Sequence, residues 1–453
     1  MKKYYHFIGI GGIGMSGIAQ LLLKSGYKVS GSDLKENQNT DELKSLGATI
    51  FMGHAAKNII EQDVVVYSSA ISSDNPELCQ AKALGKTLIK RAQALAALMQ
   101  DKKAITVAGS HGKTTTTSLV SYMLLEAGLR PTVAIGGVLN NIQSNACLGN
   151  GDYFVAEADE SDGSFLNYSP TYSIITNIDR EHLDYYHNFE NEIQAFKTFI
   201  KRTEKDGVIF ICYDDLNLLK LVSAYKGKCL TFGLKPGADI YATNIVFNGL
   251  SSEFDCYVKK QLLGRFCLSL GGKHNISNSL AVIALGLELG IDLEFIRKAL
   301  AGYQGAGRRL ETKFCNNQYL VLDDYAHHPC EIKATLAAID NLKGKRKIVV
   351  FQPHRYSRTQ LLLDDFAQAF DQADYLIITD IYAASEKPIS GVNAEKLLSR
   401  IKENFKDKVA IYLPKEDILN HLLEMISKND LVITLGAGDI VKISNALAQE
   451  LKN

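Results

Sequence analysis

The residues best suited to phosphate chemistry form a glycine-rich loop between a strand-like run and a helical pattern. Ala104–Ala108 is short and apolar, and the loop Gly109–Thr115 follows it with the sequence GSHGKTT. Backbone N–H groups of such a loop surround a triphosphate, the lysine neutralises its charge, and a threonine hydroxyl ligates Mg²⁺. The match is to a shorter form of the usual pattern, because Val107 stands where the first glycine belongs. We call this segment the phosphate loop, and it predicts an ATP site.

Two further polar segments follow strand-like runs in the same region. The acidic segment Glu157–Asp162 follows Tyr153–Ala156, and the residues 177–182 follow Tyr172–Thr176. Ligands of parallel sheets bind at the carboxyl ends of the strands, so both segments are expected near the triphosphate. Carboxylates there favour a magnesium site. On the residues alone His182 is ambiguous, because a single histidine is more often structural than a ligand.

A second glycine-rich segment lies at the start of the chain. Ile8–Gly14 reads IGIGGIG, and Gly9, Gly11 and Gly14 satisfy G-x-G-x-x-G, with Asp33 about twenty residues further on. Glycines let the backbone approach a phosphate, and the following helix offers free N–H donors. We call Gly9–Gly14 the first glycine loop. It predicts a nucleotide-diphosphate site, which NAD and a nucleotide sugar fit equally well.

Short β-branched runs that alternate with amphipathic ones must position these loops. The predicted strands are Tyr5–Ile10, Asp63–Tyr67, Ala104–Ala108, Tyr153–Ala156, Tyr172–Thr176, Lys347–Phe351, Tyr375–Thr379 and Leu431–Leu435. The predicted helices include Gly17–Ser25, Thr114–Ala127 and Ser277–Leu289. This alternation indicates an α/β protein built from doubly wound, mostly parallel sheets. Residues 229–272 instead resemble short strands with Gly and Asn turns, as in an antiparallel edge.

Length and composition narrow the class of protein. The 453 residues correspond to about three domains. The glycine cluster at Gly302–Arg309 and the helical residues 90–99 mark the boundaries, so we expect domains over 1–88, 89–309 and 310–453. Fifty basic and fifty acidic residues give no net charge, which argues against a general nucleic-acid or membrane-surface binder. Eight cysteines without a CxxC pair, and no apolar window of about 18 residues, favour a cytoplasmic protein without membrane insertion.

The polar motifs, taken in their order along the chain, resemble those of one family. G-x-x-G-K-T, EADES and N-x-x-R-E-H-L-D are followed by His274–Asn278 (HNISN), Gly307–Arg309, Asp323–Pro329 (DDYAHHP) and Phe351–Thr359 (FQPHRYSRT). The whole chain is similar to the Mur ligases, the ATP-dependent amino-acid ligases of peptidoglycan synthesis. Ala326 and Ser357 depart from the usual glycine and threonine, but neither change removes a charged group.

This resemblance implies a fold and a reaction. The three domains would be a Rossmann-like UDP-binding domain, a P-loop ATPase-like central domain, and a Rossmann-like C-terminal domain that receives the amino acid. ATP would phosphorylate the lactyl carboxylate of UDP-N-acetylmuramate, and the amine of L-alanine would attack the acyl phosphate. The first glycine loop would then bind UDP rather than NAD. The oligomeric state is left open.

The resemblance also implies roles for individual residues. Lys113, Glu157 and His182 would be catalytic, and Thr114, Glu157 and His182 would hold Mg²⁺. The ATP contacts would be Gly109, Ser110, His111, Gly112, Lys113, Thr114, Thr115, Asn275, Arg309 and Asp324. The nucleotide sugar would contact Gly9, Gly11, Gly12, Gly14, Asp33 and His327, and carboxylates would pair with Arg355 and Arg358. Lys197, fifteen residues after His182, matches the carbamylated lysine of some relatives, although a surface lysine is the simpler interpretation.

Three other functions compete with this one. A recycling ligase joins a ready-made tripeptide to the same nucleotide sugar, but that relative resembles FEPRS where this chain has FQPHRYSRT. An NAD-dependent dehydrogenase would explain the first glycine loop and leave the phosphate loop unexplained. A regulatory nucleotide-binding module without catalysis would leave the full polar set unexplained.

Overall fold

The computed structural model describes residues 2–384, 386–405 and 409–452. The described residues form three β-sheets of five, ten and six strands, each flanked by helices. Contact density divides the chain into two compact units, one comprising Met1–Asn244, Phe254–Phe266 and Ser277–Gln304, the other Ile245–Glu253, Cys267–Ile276 and Gly305–Asn453. The three sheets therefore follow the predicted three-part order, while the exact domain boundaries stay a prediction.

The first sheet is parallel throughout and has the strand order β3-β2-β1-β4-β5. This order reverses beside β1, which creates the crevice where doubly wound sheets bind nucleotides. The elements are β1 (Tyr4–Ile8), α1 (Ile13–Lys24), β2 (Lys28–Asp33), α2 (Gln38–Ser45), β3 (Thr49–Met52), β4 (Val64–Tyr67), α3 (Pro76–Ala83), β5 (Thr87–Lys90) and α4 (Arg91–Met99), with a 3₁₀ turn at Ala56–Asn58.

The second sheet has the order β15-β14-β13-β12-β11-β10-β6-β9-β7-β8. Its elements are β6 (Lys103–Ala108), α5 (Lys113–Glu126), β7 (Thr132–Leu139), β8 (Ser144–Cys147), β9 (Tyr153–Glu157), β10 (Tyr172–Ile175), α6 (Leu183–Tyr186), α7 (Phe189–Lys201), β11 (Val208–Cys212), α8 (Leu216–Val222), β12 (Lys228–Gly233), β13 (Ile240–Asn248), β14 (Ser251–Val258), β15 (Gln261–Leu268), α9 (Lys273–Glu288) and α10 (Leu293–Gly302), with a 3₁₀ turn at Ser164–Asn167. The neighbours β10, β6 and β9 run parallel, so the three polar segments that follow them meet at one edge.

The third sheet has the order β16-β17-β21-β18-β19-β20. Among its described strands, only β16, at one edge, runs antiparallel to its neighbour. Its elements are β16 (Glu311–Cys315), β17 (Tyr319–Asp324), α11 (Pro329–Ile339), β18 (Arg346–Phe351), α12 (Tyr356–Leu361), α13 (Leu363–Ala367), β19 (Tyr375–Ile378), α14 (Ala394–Asn404), β20 (Val409–Tyr412), α15 (Lys415–Met425), β21 (Asp430–Leu435) and α16 (Val441–Glu450). The central strands are buried on both faces by helices, which explains their continuous apolar runs.

All eight predicted strands are present, each within two residues of its predicted ends. The three predicted helices are also present, and α1 begins four residues earlier than the pattern indicated because its first turn is glycine-rich. In the region 229–272, connections of two residues join β13 to β14 and β14 to β15, as antiparallel neighbours allow. The antiparallel pair β7–β8 was not predicted. Each helix in the described part of the chain is too short or too polar to cross a membrane.

Candidate active site

The phosphate loop makes a tight turn that its glycines permit. Gly109 and Gly112 have φ of +128° and +83°, and α5 begins directly after them. A Cβ at Gly109 would lie 2.2 Å from Thr176 Oγ1, and one at Gly112 would lie 2.7 Å from Asn278 Oδ1. Asn177 fixes the loop further, because its Oδ1 accepts from the His111 amide at 2.9 Å. Side chains of neighbouring elements therefore shape the loop.

Lys113 is held at the centre of the acidic segment. Its Nζ donates to Glu160 Oε1 at 2.7 Å and to the carbonyl oxygens of Gly109 and Ser110. Burial alone would lower the pKa of the ammonium, but the carboxylates of Glu160, Asp159 and Glu157 raise it above its ordinary value. Lys113 therefore stays charged at physiological pH, as a group that neutralises phosphate must.

The predicted pair Thr114 and Glu157 is brought together. Thr114 Oγ1 lies 3.2 and 3.1 Å from the two carboxylate oxygens of Glu157. The amide of Gly136 donates to Glu157 Oε2 at 3.0 Å, and a Cβ at Gly136 would lie 2.6 Å from that oxygen. The hydroxyl lies at the start of the helix that follows the phosphate loop, and the carboxylate lies at the end of β9. Together they form a donor set that suits Mg²⁺.

His182 lies beside carboxylates that were not assigned roles from the sequence. Its Nε2 is 3.3 Å from Glu160 Oε1 and 3.5 Å from Glu181 Oε2. One ligand atom from each of these three residues lies within 4.8 Å of the others. Glu160 Oε2 is buried and has no hydrogen-bond partner among the described residues, which fits a place for a cation. The spacing of Glu160, three residues after Glu157 at the end of β9, was the available signal.

Helix α7 carries a buried acid, Glu192, and the predicted Lys197. Glu192 is fully buried, and its carboxylate accepts no hydrogen bond from a side chain in the described part of the chain. Burial, followed by the charge of Glu160, raises the pKa of Glu192 to about 8, so this group is mainly protonated at neutral pH. Lys197 is exposed on the same helix, in keeping with the surface interpretation.

The first glycine loop closes onto Asp33. Gly9 has a φ of +79°, and the amide of Gly11 donates to Asp33 Oδ2 at 2.8 Å. The side-chain amides of Asn37 and Asn39 donate to the Gly11 carbonyl at 3.2 and 2.8 Å. The structure thus brings the predicted glycines and acid together and adds two asparagines that the motif did not indicate. Gly12 then caps α1, and its carbonyl accepts from the amides of Met15 and Ser16.

In the second compact unit, Asn275 and Asp324 bond to nearby backbone. The Asn275 amide donates to the Gly271 carbonyl at 2.8 Å. Asp324 accepts from the amides of Leu310 and Ala326, at 2.7 and 2.8 Å, with one carboxylate oxygen for each. Burial, only partly offset by the Arg309 guanidinium, raises the pKa of Asp324 to about 6. The Asp324 contacts join the segment before β16 to the loop after β17, and the predicted ATP contacts of both residues stay predictions.

The cationic residues of this unit gather around a neutral histidine. His354 Nδ1 lies 3.1 Å from Arg358 Nη1, and the His354 and His327 rings are 5.5 Å apart. Burial, then the charges of His327, Arg358 and other cations, lowers the pKa of His354 to about 3. A neutral imidazole accepts the Arg358 hydrogen bond and fixes that guanidinium. Arg355 directly precedes α12, as its N-cap residue, and has a φ of +70°.

Comparisons with known proteins agree along the chain. Three family models match in succession: the Mur ligase family, catalytic domain, over residues 4–103; the Mur ligase middle domain over 107–286; and the Mur ligase, glutamate ligase domain over 308–438. A UDP-N-acetylmuramate–L-alanine ligase of Geotalea uraniireducens is 46% identical over 99% of this chain and 98% of its own. That of Syntrophus aciditrophicus is 48% identical over 99% and 94%.

Solved structures give the same answer. The UDP-N-acetylmuramate–alanine ligase of Thermotoga maritima superposes with a TM-score of 0.87 and 30% identity over 99% of both chains. A murein peptide ligase of Psychrobacter arcticus has the same fold, with a TM-score of 0.73 and 24% identity over 100% of this chain and 99% of its own. Since its relatives match over nearly the whole length, this chain belongs to the Mur ligase family.

Proposed function

We propose that this protein uses ATP to join L-alanine to the lactyl carboxylate of UDP-N-acetylmuramate in peptidoglycan synthesis. The observation that carries the proposal is the convergence of the phosphate loop, the acidic segment and His182 at the edge formed by β10, β6 and β9. The relatives named as UDP-N-acetylmuramate–L-alanine ligases support the same reaction. Because both ATP and the nucleotide sugar are cytoplasmic metabolites, the proposed reaction belongs in the cytoplasm.

The reaction brings a carboxylate to a polyphosphate, so repulsion between anions must be overcome. Lys113 remains charged because three carboxylates surround it, and it would neutralise the β- and γ-phosphates. Thr114 and Glu157 would hold one Mg²⁺, and Glu157 and His182 a second. Glu160 and Glu181 lie close enough to His182 to contribute to the second site. Bound Mg²⁺ would supply charge neutralisation and orientation of the phosphates.

The remaining proposed contacts concern the nucleotide sugar and the amino acid. The first glycine loop would bind the UDP diphosphate at the N-terminus of α1, through the N–H groups of its first residues, Ile13 and Gly14. Arg355 and Arg358 would pair with carboxylates, because guanidinium groups suit bidentate contacts. His327 would contact the muramyl part, and the neutral His354 would keep Arg358 oriented. The amine of L-alanine would then attack the acyl phosphate, and phosphate would leave from the tetrahedral intermediate.

The recycling ligase is the second candidate within the family. The murein peptide ligase of Psychrobacter arcticus is less similar than the alanine ligase of Thermotoga maritima in both TM-score and identity. The sequence FQPHRYSRT, which differs from the FEPRS-type loop that the family resemblance implies for a recycling ligase, also favours the alanine ligase.

The deciding experiment measures phosphate release from ATP in the presence of UDP-N-acetylmuramate. Each amino acid, and separately the tripeptide, is added in turn. We expect release with L-alanine and a product heavier by one alanyl residue. Release with the tripeptide alone would support the recycling ligase, and no release with any acceptor would contradict the proposed function.

A further inference from the structure

Arg91 reaches the first glycine loop from a helix far along the chain. It is the first residue of α4, and its side chain is 24% exposed. Its Nη1 lies only 2.8 Å from the position that a Cβ at Gly14 would occupy. Since Gly14 is the second residue of α1, the guanidinium lies against the first turn of this helix. Glycine at position 14 leaves the space that the guanidinium fills.

The other end of the same guanidinium reaches the acidic segment. Nη2 donates to Asp159 Oδ2 at 3.0 Å, and Asp159 Oδ1 accepts from the Ser161 amide at 3.0 Å. Asp159 is two residues from Glu157, which bonds to Thr114, and next to Glu160, which bonds to Lys113. Arg91 thus joins the first glycine loop to the acidic segment that borders the phosphate loop, and it does so within one compact unit.

The charges explain why this position suits an anionic ligand. A helix N-terminus carries partial positive charge, so a cation placed there is unfavourable unless anions accompany it. The Asp159 carboxylate, in an ion pair with the Arg91 guanidinium, supplies one negative charge. A nucleoside diphosphate on the first glycine loop would supply further negative charge on the other side of the guanidinium.

We propose that Arg91 is a positioning residue that links the two nucleotide sites. One nitrogen contacts the diphosphate of the nucleotide sugar at the start of α1, while the other holds Asp159 and with it the segment that carries Glu157 and Glu160. Nucleotide-sugar binding thereby orders the residues that receive Mg·ATP, and each nucleotide strengthens binding of the other, as linkage requires. This inference rests on the proposed function and adds a residue to it.

The test is a set of calorimetric titrations with Mg·ADP, with and without saturating UDP-N-acetylmuramate, at fixed ionic strength. The ratio of the two dissociation constants is the coupling factor, expected to be roughly tenfold in the unaltered protein. Arg91→Gln should bring this factor close to one and weaken UDP-N-acetylmuramate binding about tenfold. The affinity for Mg·ADP alone should not change. Asp159→Asn should remove the coupling while largely sparing nucleotide-sugar affinity.

Lys90→Gln is the matched control, because it removes the same charge from the exposed neighbouring residue and should behave like the unaltered protein. An unchanged coupling factor in Arg91→Gln, or no coupling in the unaltered protein, would overturn the inference. Equal losses of Mg·ADP affinity with and without the sugar, together with a lower melting temperature, would mean a purely structural ion pair. Failure of the unaltered protein to bind UDP-N-acetylmuramate would instead contradict the proposed function.

Discussion

The first glycine loop and the phosphate loop have the same plan and different surroundings. Each follows a central parallel strand, turns through at least one glycine with positive φ, and leads into a helix N-terminus. The first loop is held by Asp33 and two asparagines, and carries no lysine of its own. The phosphate loop contains Lys113 and is surrounded by carboxylates and a histidine.

This difference separates binding from chemistry. Backbone N–H groups suffice to hold a diphosphate that does not react. Transfer of a phosphoryl group also requires a fixed cation and ligands for metal ions, because negative charge must be stabilised in the transition state. The strand–loop–helix unit therefore binds phosphate. Whether it also catalyses phosphoryl transfer depends on the cation it contains and on the metal ligands that follow the neighbouring strands.

The change with the largest expected effect removes the cation that distinguishes the two loops. Lys113→Ala should lower the rate of ligation roughly a thousandfold or more, because one positioned cation contributes several kcal/mol to phosphoryl transfer. Single-turnover measurement of phosphate release checks this, with circular dichroism to confirm folding. Lys103→Ala, at an exposed position on β6, is the control and should retain turnover. Near-normal turnover of Lys113→Ala would contradict the claim that this lysine distinguishes the reacting loop from the loop that only binds.

The next change disturbs the first loop without touching the reaction centre. Gly11→Val should raise the KM for UDP-N-acetylmuramate by about tenfold to a hundredfold, since its Cβ would lie 2.8 Å from Asn37 Nδ2 and 2.9 Å from Asp33 Oδ2. The valine would therefore clash with the side chains that hold the loop. Gly12→Ala is matched to it and should be milder, because its Cβ would meet only Gly9 O at 3.5 Å. A larger effect of Gly12→Ala would contradict this account.

A smaller effect is expected away from both loops. Arg358→Ala should raise the KM for L-alanine about tenfold or lower kcat, because a guanidinium–carboxylate contact would be lost. The KM for ATP should stay unchanged. Steady-state kinetics with each substrate varied in turn measures this, and Arg400→Ala, on the exposed side of α14, is the control. Equal rises in the KM of all substrates would mean that Arg358 maintains the fold rather than the amino-acid site.

The smallest effect concerns stability rather than turnover. The pKa of Glu192 is raised to about 8 in the folded protein, whereas the same group in the unfolded chain has the ordinary glutamate pKa of 4.5. Between these two pH values only the unfolded chain releases the proton, so the carboxyl group destabilises the fold increasingly as the pH rises towards 8. Glu192→Gln should therefore melt a few degrees higher than the unaltered protein at pH 8, with little difference at pH 4.5. Thermal scans in EDTA, which removes bound metal, measure the difference. A gain that is independent of pH would show that Glu192 is not protonated in the folded protein.

Much of this architecture was accessible from the sequence because it depends on local patterns. Buried parallel strands are apolar throughout, and loops at their carboxyl ends carry the polar motifs, so both could be located together. Contacts that join distant segments of the chain could not be predicted from the sequence. Arg91 and Gly14 are separated by 77 positions, and no local pattern relates them. Likewise, the neutral state of His354 results from burial beside cations, which only the folded chain shows.

The sequence identified only some of the candidate metal ligands, again because some of the contacts join distant segments of the chain. Glu157 and His182 were singled out by motif. Glu160 becomes a neighbour of His182 only through the packing of the strand ends, whereas Glu181 directly precedes His182 in the chain. A cluster of acids in a loop is compatible with a solvated surface, and sequence alone does not rank its members. The hydrogen bond to Lys113 and the buried, unpartnered Oε2 are what distinguish Glu160.

The central claim is that the two loops bind different nucleotides and that only one of them performs chemistry. The most direct test is a crossed titration in which UDP-N-acetylmuramate and Mg·ADP are each titrated alone into Gly11→Val and into Lys113→Ala. We predict that Gly11→Val loses affinity for the nucleotide sugar and keeps that for Mg·ADP, whereas Lys113→Ala does the opposite. Loss of both ligands in either folded variant, or the reverse assignment, would contradict the account.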